Sequence, residues 1–219
     1  MPGQVPLDLI GPLQVLQCAD RLSIDVQVRY IGPKAAMQWL GPLTLSGIDP
    51  LPEQLPTQDL LLIPGQYRNS LEPLAQQECV AWLKANAHYA DTLMTVCSGT
   101  LLLADSGLLA GRRCTTHHTL IEKLQSKAPQ AKVQRDCIFT EDERYLTSAG
   151  ISTGIDTMLY WLTRACGHSL ALAVAREMVL YLRRSGQEPQ LGAWLEGRNH
   201  VDERLHRVQD AICAAPSQT

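Results

Sequence analysis

No stretch of about 18 uninterrupted apolar residues occurs in the 219-residue chain, so no segment has the length and hydropathy of a membrane-spanning helix. The first residues, "MPGQVPLDL", carry neither the basic start nor the apolar run of a secretory signal. No Cys-x-x-Cys pair and no Cys/His set at zinc spacing is present, so neither a metal nor a cofactor is implied. Charge of one sign is not in excess either, since the net charge of -3 offers no global attraction to nucleic acid. Internal repeats and low-complexity tracts are missing too. What is there is a composition of 45% hydrophobic and 19% charged residues, that of a globular chain long enough for one sizeable core and a small appendage. Cys18, Cys79, Cys97, Cys114, Cys137, Cys166 and Cys213 are odd in number and sit in apolar contexts, so most read as buried, reduced thiols of a cytoplasmic protein, with Cys97 set apart by its placement.

Periodicity then gives an order of elements. "VPLDLIGPLQVL" has helical spacing and is expected to break or restart at Gly11 and Pro12. "SIDVQVRYI" alternates like a strand, and "DLLLIPG" is a continuous apolar run expected of a strand buried on both faces. "LEPLAQQECVAWLKANAHYA" is a helix, with Leu71, Leu74, Cys79, Val80 and Leu83 on one stripe. "TLMTV", "RRCTTH" and "AKVQRDCIFTEDERYLTSAG" are expected to be strands, the last turning as a hairpin at Glu141, Asp142 and Glu143. "GTLLLADSGLL" and "HTLIEKLQSKAP" are helices between them, and "ISTGIDTMLYWLTRACG" and "HSLALAVAREMVLYLRR" are two long amphipathic helices. Arg183 and Arg184 read as a solvated helix end, and Trp161 with Tyr160 as core or as an interface anchor. Strands alternating with helices imply an α/β fold, a flavodoxin-like doubly wound parallel sheet with helices on both faces. "SGQEPQLGAWLEGRNHVDER" reads as a linker, and a last amphipathic helix follows with Leu205, Val208 and Ile212 on one side. The expected division is therefore 1–195 for the main domain and 196–219 for linker and helix.

In such sheets the binding crevice lies at the carboxyl ends of the strands, where Gly65, Cys97 and His117 all fall. Cys97 ends an apolar strand and meets Ser98 and Gly99 before a helix, the strand-to-helix turn that thrusts a side chain out as a nucleophile does. The amides of that helix start are expected to lower the thiol pKa and to be able to hold an oxyanion. Thr95 stands where such elbows usually carry glycine. His117, after Thr115 and Thr116, is a candidate base or an exposed cap, with His118 opening the next helix, and Asp8 is a candidate acid or a helix cap.

"LDLIGPLQVL", "LLLIPGQY", "TVCSGTLLLADSGLLAGRRCTTHH", "YLTSAGISTGID" and "AREMVLYLRRSGQEPQL", in that order, resemble the ThiJ/PfpI-type, class I glutamine-amidotransferase-like domain at the N-terminus of many AraC-family bacterial transcription regulators. The resemblance covers roughly residues 3 to 195, and "RLHRVQDAICAAPSQT" resembles the opening of an AraC-type helix-turn-helix domain. It departs from the family in two places. The family's first strand is missing or truncated ahead of "PGQVPLDLIGP", and "THH" stands where many relatives have an aromatic after the histidine.

The resemblance implies a sensor and dimerisation domain binding a small metabolite, amino-acid-like or amine-like, with promoter DNA reached only through a C-terminal helix-turn-helix domain. It implies a ligand site at Asp8, Gly65, Gln66, Cys97, Ser98, His117, Gly150 and Ile151, with Ser148, Gly154 and Asp156 in the adjoining loop and helix start. The alternatives are a free-standing cysteine enzyme, such as an isocyanide hydratase using Cys97, Asp8 and His117, and a dimerisation module without ligand. A glutamine amidotransferase would need a His-x-Glu after "SAG", and none is present.

Overall fold

The computed structural model describes residues 5–22, 24–38, 42–66, 73–181, 183–192 and 202–214. Its elements in chain order are α1 (Pro6–Arg21), β1 (Ile31–Gly32), β2 (Ala36–Gln38), β3 (Thr44–Ser46), β4 (Asp49–Pro50), β5 (Gln58–Ile63), α2 (Pro73–Asn86) and β6 (Ala90–Val96). They continue with α3 (Gly99–Asp105), β7 (Arg113–Cys114), α4 (Ile121–Lys127), β8 (Lys132–Val133), β9 (Phe139–Asp142), β10 (Tyr145–Ser148), α5 (Thr153–Cys166), α6 (His168–Glu177) and α7 (Glu203–Ala214). None of these helices is long and apolar enough to cross a membrane.

The main sheet has the order β5-β6-β10-β9, parallel from β5 through β10, with β9 antiparallel at the edge. Glu143, at positive φ, makes the β9–β10 turn at the expected acidic run. Two cores explain why "TLMTV" places the apolar residues Leu93 and Met94 side by side. Met94 faces a cluster built with Val15 of α1, Met158 of α5 and Val174 of α6, while the adjacent Leu93 faces the opposite side with Ala87 and Ala90. A larger cluster on that second side joins Leu83 of α2, Leu103 of α3 and Leu124 of α4. The sheet is thus covered on both faces, as the doubly wound reading requires.

Several local expectations shift. Helix α1 runs through Gly11 and Pro12 without a break. Pro12 costs one ladder hydrogen bond, but tertiary contact overrides it: Gly11 meets Ile155 and Pro12 meets Gly154, so α1 and α5 approach closely. On α2 the inward residues are Ala75 and Leu83, whereas Leu74 is 77% exposed; Leu71 lies outside the described residues. Residues 24–30 form no strand although they alternate as one, and only Ile31 joins a short parallel ladder; Ser23 lies outside the described residues.

The end of α6 also differs. The helix stops at Glu177, Val179 takes positive φ, and the chain turns back. Arg184 consequently does not end a solvated helix: it chelates the buried Asp156 carboxylate through Nε at 3.0 Å and Nη2 at 2.6 Å. The stretch expected as linker docks at its start, because Ile138 N–H reaches the carbonyls of Gly186 and Glu188 at 3.1 and 3.0 Å. Trp161 and Tyr160 pack on the main core, with Trp161 Nε1 donating to Thr92 and the Tyr160 hydroxyl to Glu141. Residues 193–201 lie outside the described residues, and α7 presents Leu205, Val208 and Ile212 half exposed.

Candidate functional site

Three strand ends and one helix start converge on Cys97. Strand β6 delivers it at its carboxyl end with φ of 56°, a left-handed conformation that a non-glycine residue holds only when its surroundings fix it. Those surroundings are specific. Cys97 N–H donates to Ser148 O at 3.1 Å, and the Cys97 carbonyl accepts the Thr116 hydroxyl at 2.7 Å. Ser98 Oγ accepts from Gln66 N–H at 2.6 Å and donates to Gln66 O at 2.7 Å, which locks the loop after β5 onto the elbow. Gly99 allows β5 to pass, because a Cβ there would strike the Ile63 carbonyl. Thr95, in the usual glycine position, is accommodated inside the fold, its hydroxyl 2.7 Å from that of Thr100.

The close α1–α5 contact brings Asp8 beneath the elbow. Its carboxyl is fully buried; Oδ1 accepts from Ile151 N–H at 2.8 Å. Oδ2 has no nitrogen or oxygen partner and lies on the side of the Cys97 thiol. Gly65 and Gly150 wall this hollow. A Cβ on Gly65 would come within 2.8 Å of Cys97 Cβ and overlap Asp8 Oδ2, and one on Gly150 would come within 2.8 Å of the sulfur. Gly150 also takes φ of 135°, and Thr153 Oγ1 holds its amide at 2.7 Å. Ile151, at φ of 50° and 45% exposed, marks the outer rim.

Burial dominates the electrostatics. It raises the Asp8 carboxyl from 3.8 to about 6, against the opposing Ile151 amide, Cys97 thiol and Gly65 amide. It pushes the Cys97 thiol from 9.0 up to about 12, the Asp8 charge adding to the effect and the Ser98 amide opposing it. The expected thiolate-favouring elbow is therefore not what the geometry produces. A seven-residue helix contributes one opposing amide, while desolvation and a neighbouring carboxylate both favour the neutral thiol. The resulting arrangement is a thiol donor facing a carboxyl acceptor.

Asp8, Gly65, Cys97, Ser98, Gly150 and Ile151 are thus brought together, and Gln66 is tied in through Ser98. His117 is placed differently. It caps the turn ahead of α4, its Nδ1 2.8 Å from the Thr119 hydroxyl, and burial with the His118 charge lowers its pKa. Among the described residues its ring makes no hydrogen bond to Cys97. Ser148 supports Cys97 through its backbone, and Asp156 serves Arg184 one turn away. Thr116 and Thr153 are positioning residues that sequence pattern did not single out. Their partners are backbone groups distant in sequence, so only the "TTHH" and "GIST" contexts hinted at them.

Residues 6–164 match the profile of the DJ-1/PfpI family. The HTH-type transcriptional regulator CdhR of Pseudomonas aeruginosa is 29% identical over 87% of this chain and 56% of its own. The isonitrile hydratase of Pseudomonas putida is 33% identical over 72% of this chain and 66% of its own. The chain thus spans about half the length of that regulator and about two thirds of that hydratase. Among solved structures, an AraC family transcriptional regulator from Pseudomonas putida superposes with a TM-score of 0.67 at 21% identity, covering 80% of this chain and 94% of that one. Similar chains therefore include both regulators and an enzyme.

Proposed function

The chain belongs to the DJ-1/PfpI family, and on that premise we propose that it is the effector-sensing domain of an AraC-type transcriptional regulator rather than a cysteine enzyme. The protonation state of Cys97 carries the reading. Burial, with the Asp8 charge beside it, pushes the thiol up to about 12 and so favours its neutral form. His117, a candidate base or an exposed cap, is engaged by Thr119 at the turn ahead of α4. The hollow instead offers what a binding site needs: a thiol donor, a buried carboxylate and glycine walls that leave room for a small molecule.

An amine-like or amino-acid-like effector suits a carboxylate that is ionised above about pH 6 in a desolvated setting. The regulator is a homodimer in the cytoplasm, with 1–195 as the sensor. In this reading α7, whose apolar stripe is half exposed, opens the helix-turn-helix domain that meets promoter DNA. The effector acts by binding one arrangement of the two domains better than the other. A thermal-shift panel of small amines and amino-acid derivatives tests this. A binder should still stabilise Cys97→Ala, though more weakly, and lose its effect on Asp8→Asn. Turnover of an isocyanide by the wild-type chain, abolished in Cys97→Ala, would establish the enzyme reading instead.

A further inference from the structure

The chain that follows α6 doubles back as a strap, residues 183–190, and its fastenings point at the Cys97 hollow. Ser185 and Glu188 close a turn on each other: Ser185 N–H donates to Glu188 Oε1 at 2.6 Å and Glu188 N–H to Ser185 O at 3.1 Å. Gly186 lies flat on β9, because a Cβ there would strike the Phe139 ring and carbonyl. From this anchored turn a side chain reaches out at either end. Arg184 donates its N–H to Asp156 Oδ1 at 3.1 Å, and its Nη2, besides binding Oδ2, reaches Ser152 Oγ at 2.9 Å. Gln190 is fixed by its N–H on Asp136 Oδ1 at 3.0 Å, and its Nε2 donates to Thr116 O at 3.0 Å.

Each arm stops one link short of a group in the hollow. Ser152 follows Ile151, whose N–H is held by Asp8 Oδ1 and whose β-branched side chain sits at a φ of 50°, a conformation that only surrounding contacts maintain. Thr116 holds the Cys97 carbonyl through its hydroxyl, while its own carbonyl is held by Gln190. A strap that served only to cover β9 would need neither arm, since the Gly186 and Glu188 carbonyls already pair with Ile138. We infer that residues 183–190 are the output element of the hollow, reporting its occupancy to the polypeptide that leads on to α7. The inference rests on the sensing role proposed above. An amine drawn to Asp8 competes with Ile151 N–H for the carboxylate. The strained turn then relaxes, Ser152 leaves Arg184, and the strap loosens. By linkage, a loosened strap also loosens the Cys97 corner.

The test needs no effector, so its failure is distinct from that of the sensing role; an amine panel without a binder would remove the effector and leave the coupling standing. Iodoacetamide serves as the probe, because the carbamidomethyl group it leaves on Cys97 Sγ occupies the hollow beside Asp8. Amide hydrogen exchange is followed at Arg184, Ser185, Glu188 and Gln190, and along α4 for comparison, before and after alkylation. Cys97→Ala treated in the same way accounts for the other thiols. Exchange about tenfold faster at the strap alone is expected, the size of a typical coupling between sites, with no such change in Cys97→Ala. Unchanged exchange at the strap, or equal acceleration along α4, would overturn the inference. In the opposite direction, Gln190→Glu and Ser152→Ala each cut one arm and leave the Arg184–Asp156 pair intact. Each should raise the rate of Cys97 alkylation about fivefold. A rate that neither variant moves overturns the inference equally.

Discussion

The Cys97 corner, at the end of β6, and the open edge of the adjacent strand β5 are built on opposite terms. At the corner every backbone turn is fixed by a partner: Ser148 for the Cys97 amide, Thr116 for its carbonyl, Ser98 for both polar groups of Gln66. At the edge, residues 24–30 have strand composition without a ladder, and Leu60, Leu61 and Leu62 are only half buried. Local chemistry alone does not separate the two regions, since both are rich in apolar and β-branched residues. What separates them is whether the neighbouring backbone is in place. A site can be tightly assembled on one end of a sheet whose other side is still open.

The largest break in that contrast should come from Gly150→Val. Positive φ and a Cβ driven against Cys97 combine strain with overpacking, so a loss of about 3 kcal/mol or more is expected in urea denaturation. Asp8→Asn acts through pH. The folded carboxyl, raised from 3.8 to about 6, binds its proton more tightly than the unfolded one. Its stabilising contribution is therefore complete below pH 3.8 and lost as pH rises through 6. The total is about 3 kcal/mol, of which about 1.5 falls between pH 5 and 8. The wild-type chain should lose that 1.5 relative to the Asn variant when urea midpoints are compared across that range. The smallest effect belongs to the open side: Val28→Thr should change stability by less than about 0.5 kcal/mol, because the side chain has little to lose. A large cost there would erase the contrast.

How much of this was legible in the sequence follows from the same physics. The layered fold was, because period-two and 3.6-residue patterns report which faces are buried, and Leu93 and Met94 facing opposite cores are what a continuous apolar strand encodes. The elbow and its acid were recognisable from "VCSG" and "LDLIGP" as short motifs. The protonation state of Cys97 was not, because it depends on desolvation by loops at Gly65 and Gly150 that lie far away in sequence. The unbroken α1, the early end of α6 and the Arg184–Asp156 pair were likewise hidden, each being a tertiary contact that overrides a local signal. The strand expected over "SIDVQVRYI" is not formed at residues 24–30, because an alternating pattern reports side-chain chemistry and not whether a neighbouring backbone pairs with it.

The account rests most directly on the thiol of Cys97, and its alkylation rate against pH measures that thiol. With iodoacetamide and peptide mapping, Cys97 should react with a midpoint above the ordinary cysteine value of 9.0, and Asp8→Asn should move the midpoint down. A midpoint below 7, unmoved by Asp8→Asn, would contradict a protonated binding thiol and identify Cys97 as an activated nucleophile.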